Sequence, residues 1–91
     1  MAKVEWSGPA RAELDQIIEY IETFDPVAAE RVGDRLFALG QSLMGFPNRG
    51  RMGPYGTREL VTVPPYIPQY DVTGDTVTIL RVPHGRRRPV A

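Results

Sequence analysis

Ninety-one residues with eleven basic and eleven acidic side chains, one histidine and no cysteine make a small chain of zero formal charge. The missing cysteines exclude disulfides and thiolate metal sites, and a lone histidine excludes a structural zinc site, so neither metal nor cofactor is expected. No run of about 18 apolar residues and no apolar signal core exist, so the expectation is one soluble, cytoplasmic domain over residues 1–91 with no membrane association.

Val4-Glu5-Trp6 reads as a short strand closed by Ser7-Gly8-Pro9. Ser7 is a good N-cap, and Pro9 sits in the first helical turn, where its missing N–H costs little. Leu14, Ile17, Ile18 and Ile21 recur at helical spacing while Glu13, Glu19 and Glu22 lie off that stripe, which predicts an amphipathic helix with a solvated acidic face. Asp25-Pro26 repeats the cap-then-proline signal. The helix it opens carries Ala29, Val32, Leu36, Leu39 and Leu43 at alternating spacings of three and four, a seam that predicts an antiparallel helical hairpin. Gly33 and Gly40 within it each cost about 1 kcal/mol of helix propensity relative to Ala, so they are expected to serve close packing.

Residues 45–57 are rich in glycine and proline and read as a loop. Three strands follow, over Arg58–Val63, Tyr66–Val72 and Thr76–Val82, the last two joined by a Thr73-Gly74-Asp75 turn. Pro68 is out of place inside a strand, because it removes a ladder donor; it implies a bulge or an edge position. The order β-α-α-β-β-β gives an α+β fold, a helical hairpin packed on a small, mostly antiparallel sheet.

Zero net charge conceals two opposed halves: a net of −5 up to residue 34 and +5 from residue 35 onward. Arg81, His84, Arg86, Arg87 and Arg88 crowd the end of the chain, a pattern that suits an acidic partner or a phosphate backbone. Arg49-Gly50-Arg51 is a second basic element, without the glycine–lysine spacing of a nucleotide loop. Arg58 and Arg81 are strand arginines: either each is a solvated residue on the open face of the sheet, or the two, with His84 beyond them, line one concave face. His84 is the one side chain of the type suited to general acid or base work near neutral pH, although a lone histidine after a strand first reads as a turn residue.

Val4-Glu5-Trp6-Ser7 followed by Ala10, Leu14, Ile17 and Tyr20, then Asp25-Pro26 with Ala28-Ala29, Pro47, Gly50-Arg51 and Arg58-Glu59-Leu60, then Tyr66, Tyr70 and the run from Ile79 to Arg87, resembles the ParE branch of the RelE/ParE toxin superfamily over nearly the whole chain. The resemblance implies a growth-arresting toxin of a type II toxin–antitoxin pair, of the kind tied to plasmid stabilization. It also implies a ParD-like antitoxin whose C-terminal segment wraps the toxin, with operator DNA reached only through that antitoxin. The superfamily divides over its target. RelE-like members cut messenger RNA on the ribosome without metal, and for that chemistry Arg58 and Arg81 would hold phosphate and His84 would act as base. ParE-like members inhibit DNA gyrase and carry no nuclease set. Here the sole lysine is Lys3 and no tyrosine follows His84, so the resemblance favours gyrase. Arg51, Arg58, Arg81, His84, Arg86 and Arg87 are then expected to contact the target rather than to catalyse. Pro68 leaves room for a third reading, a non-toxic module that binds the antitoxin alone.

Overall fold

The computed structural model describes residues 1–85, so the expected Arg86, Arg87 and Arg88 cluster lies outside the described residues. Strand β1 (Lys3–Trp6) leads into helices α1 (Gly8–Glu22) and α2 (Pro26–Gln41). The chain then forms β2 (Arg51–Met52), β3 (Arg58–Glu59), β4 (Gln69–Thr73) and β5 (Thr76–Arg81). The sheet runs in the order β1-β5-β4-β3-β2, with β1 parallel to β5 and every other pair antiparallel. The helical hairpin packs against this sheet, giving the expected α+β architecture.

Both expected caps form. The Ser7 hydroxyl accepts from the Ala10 N–H at 3.2 Å and donates to the Leu80 carbonyl at 2.9 Å, so one side chain starts α1 and ties it to β5. Asp25 accepts from the Ala28 N–H at 3.1 Å at the start of α2. Ala10 and Leu14 from α1, Leu36 and Leu39 from α2, and Tyr70, Val77 and Ile79 from the sheet are buried together. The two mid-helix glycines mark the closest approaches. A Cβ at Gly33 would lie 2.9 Å from Ile18 of α1, and one at Gly40 would lie 2.6 Å from the Trp6 ring and 2.8 Å from Ile79.

The second half departs from the sequence expectation at two places. The expected loop contains β2, which pairs with β3 through Arg51 opposite Glu59 and Met52 opposite Arg58. The strand expected over Arg58–Val63 ends at Glu59, and the one expected from Tyr66 begins at Gln69. Prolines 64, 65 and 68 explain the shortening, because none can donate to a ladder. Pro68 itself is buried just ahead of β4, where its carbonyl accepts from the Leu60 N–H at 3.0 Å, and a register shift follows at Gln69/Tyr70. The β4–β5 ladder continues past it through Asp71, Val72 and Thr73, so the proline bends the entry to the sheet and leaves the ladder intact.

Among the described residues, no helix is long and apolar enough to cross a membrane. No group of three or more His, Asp or Glu side chains among them is placed to hold a metal ion.

Candidate functional site

Alternation along β5 sends Val77 and Ile79 into the core and places Arg81 next on the same face, beyond the packed layer. There Arg81 meets α1. Its Nε and Nη2 donate to the two carboxylate oxygens of Glu13 at 2.8 and 2.9 Å, and the Val82 N–H donates to the same carboxylate at 2.9 Å. The Arg81 hydrogen bond, helped by the Val82 N–H and the guanidinium charge, holds the Glu13 carboxyl below its usual range against the opposing effect of burial. Glu13 in turn raises the Arg81 pKa. This corrects the expectation of a uniformly solvated acidic face. Glu19 and Glu22 are exposed, but Glu13 is half-buried and joins helix to sheet.

Immediately after β5 the chain crosses the segment ahead of β4. Ile67 donates to Pro83 at 2.9 Å and Gly85 donates to Pro65 at 2.6 Å, and these bonds frame a single antiparallel bridge between Tyr66 and His84. The two rings meet edge to face, with centroids 5.7 Å apart and planes at 86°. Between this crossing and α1 lies a cleft of about 520 Å³, lined by Glu13, Gln16, Ile17, Tyr20, Tyr66, Val82, Pro83 and His84. His84 is thus built into a bridge rather than a turn, and at the same time faces a cleft.

Arg51 and Arg58 belong to a different cluster. The Arg51 guanidinium pairs with Glu59 at 3.2 Å, and Gln69 donates to the other oxygen of that carboxylate at 3.3 Å; Glu59 is 3% exposed. Arg58 donates to the carbonyls of Gly50 at 2.8 Å and Asn48 at 3.2 Å. The buried Tyr70 hydroxyl accepts from the Gly50 N–H at 2.9 Å, so Arg58 and Tyr70, opposite one another on β3 and β4, both reach the same loop residue. Arg58 is thus tied to the Gly50 loop and Arg81 to helix α1. Arg58 and Arg81 stand on strands separated by β4, and each engages its own internal partners.

Two participants were not legible as such in the sequence. Glu13 stands 68 positions from Arg81, and its signal was its place beside the apolar stripe, three residues after the buried Ala10 and one before Leu14. Tyr66 supplies beside His84 the aromatic hydroxyl that does not follow it in the chain.

Comparison with known proteins agrees with this architecture. The family model described as the ParE toxin of the type II toxin–antitoxin system parDE matches residues 4–89. Toxin RelE2 of Caulobacter vibrioides is 44% identical over 87 residues, covering 96% of this chain and 99% of that protein. The putative toxin Y4kP of Sinorhizobium fredii is 40% identical over 88 residues, covering 94% and 91%. A solved chain of the chromosomal ParDE TA system from P. aeruginosa superposes with a TM-score of 0.83 at 25% identity, over 92% of this chain and 96% of that one. The chain belongs to the ParE toxin family and is the toxin component of a type II toxin–antitoxin system.

Proposed function

We propose that this toxin arrests growth by inhibiting DNA gyrase, a protein target, without cleaving nucleic acid itself, and that a ParD-like antitoxin neutralises it. The observation that carries this reading is the engagement of the arginines. Arg51 on Glu59, Arg58 on two backbone carbonyls and Arg81 on Glu13 are each held by groups of the toxin itself. Metal-free cleavage requires an acid and a base beside one phosphate that cations also hold, and here Arg58 is tied to the Gly50 loop and Arg81 to Glu13.

The antitoxin has a natural seat. A groove of about 260 Å³ between the helices has an apolar floor of Leu14, Ile18, Ala29, Gly33 and Phe37 and a charged rim of Arg11, Asp15, Glu30 and Asp34, a surface that fits an amphipathic segment folding on contact. A second reading, ribosome-dependent cleavage of messenger RNA, is favoured by one observation: Tyr66, His84 and Glu13, the carboxylate that holds Arg81, border one cleft.

Induced expression without antitoxin separates the readings. Gyrase inhibition predicts growth arrest with intact messages and retained toxicity in His84→Ala. Fragmented messages, with toxicity lost in a folded His84→Ala chain, would move the assignment to the nuclease. Growth arrest of either kind removes the non-toxic binding module.

A further inference from the structure

The turn joining β2 to β3 has a feature that neither the packing nor the Arg81–Glu13 region accounts for. Tyr55 is fully exposed and has φ of 57°, a left-handed conformation that L-residues rarely adopt. The turn around it is well tied. Gly53 donates to Thr57 at 2.8 Å, and Thr57 donates to Pro54 through its N–H at 3.1 Å and through its hydroxyl at 2.6 Å. A left-handed residue in a tight turn is ordinarily glycine or asparagine. A tyrosine there gives the fold no burial and a poorer backbone.

The surroundings have the composition of an interaction surface. Met52 is exposed as well, and the turn is flanked by Arg51, itself 57% exposed, and Arg58, while the carboxylate against it, Glu59, is buried and paired with Arg51. Aromatic residues, methionine and arginine are the types enriched in protein interfaces, whereas lysine and acids are depleted there. A projecting, hydrogen-bonded turn is not a groove that a folding segment can wrap. It suits insertion into a preformed recess of a folded protein, with carboxylates around the recess to meet the arginines.

We propose that the β2–β3 turn is the element by which the toxin engages its protein target, with Tyr55 as the anchoring side chain and an acidic-rimmed pocket as its complement. The proposal deepens the reading of the chain as a toxin with a protein target, and it does not require that target to be gyrase.

The test uses the full chain at matched expression levels. Tyr55→Asn removes the ring while keeping a residue tolerant of the left-handed backbone, and Tyr55→Phe keeps the ring. The asparagine variant is expected to keep its melting temperature and its antitoxin affinity, yet to need about tenfold more toxin for growth arrest, the scale of an interface anchor. Tyr55→Phe is expected to restore potency. Growth arrest by Tyr55→Asn at the wild-type level would overturn the proposal. So would Tyr55-dependent binding of a single-stranded oligonucleotide at physiological salt, which would make the partner a nucleic acid. A wild-type chain that arrests growth through Tyr55 but leaves gyrase unaffected would remove the gyrase reading and leave this one standing. A folded, antitoxin-free chain that arrests nothing would remove both.

Discussion

At Gly40, helix, strand and indole meet at distances that leave no room for a methyl group, whereas at Tyr55 an entire aromatic side chain stands in solvent on a left-handed backbone. The first region runs from β1 through the helical hairpin to β5. It is held by capped helices, a parallel strand pair and glycines that let backbones approach. The second, from residue 45 to 68, has two strands of two residues each, three prolines near its end and several exposed apolar side chains. Leu60 and Val63 anchor its later part in the core, and its earlier part is fastened through polar contacts that converge on Gly50 and Glu59.

Substitutions can break this contrast, and the largest effect belongs at Gly40. Gly40→Leu forces a side chain into the Trp6 and Ile79 contact and is expected to destabilise by about 3 kcal/mol or more, measured by urea unfolding. Tyr70→Phe comes next. It leaves the buried Gly50 N–H without its acceptor and is expected to cost about 1–3 kcal/mol. Hydrogen exchange at Gly50 should accelerate in that variant while exchange in α1 changes less, which would show the 45–68 region loosening first.

Glu13→Gln tests the junction between helix and sheet. Arg81 is largely solvated, so the expected loss is about 0.5–1 kcal/mol near neutral pH. The sign with pH follows from the depressed Glu13 pKa. Its contribution is complete above the unfolded carboxyl value of about 4.3 and disappears as pH falls through the lower folded value. The stability gap between wild type and Glu13→Gln should therefore close in acid; a gap that persists unchanged as the carboxyl protonates would show that the ion pair is not its source. The smallest effect is expected at Gly8. No atom lies within 4 Å of a Cβ built there, so Gly8→Ala should raise stability by about 0.4–1 kcal/mol, opposite in sign to any enlargement at Gly40.

The same contrast explains what could be read from the sequence. Ser7, Asp25 and the seam from Ala29 to Leu43 state the helical hairpin locally, through caps and periodicity, and the structure contains it. Val77 and Ile79 do the same for β5 by alternation. Val61, Thr62 and Val63 carry strand propensity as well, yet the prolines that follow deny the ladder its donors, and local preference loses to missing hydrogen bonds. The site was harder to read because its contacts are long-range. Nothing near Arg81 in the chain announces Glu13, and nothing near His84 announces Tyr66; both pairs exist because β5 lies beside α1 and the chain ahead of β4 crosses the chain after β5. Tyr55 was unremarked for a different reason: in sequence a Gly-Pro-Tyr-Gly run reads as an ordinary turn, and only the backbone shows which residue occupies the left-handed position.

The most direct test of the central claim is a supercoiling titration. Purified protein, folded and free of antitoxin, is added to DNA gyrase with relaxed plasmid and ATP. The account predicts that supercoiling is blocked in proportion to the toxin added, and that His84→Ala blocks it equally well. Full supercoiling at a toxin excess that arrests cells would contradict it.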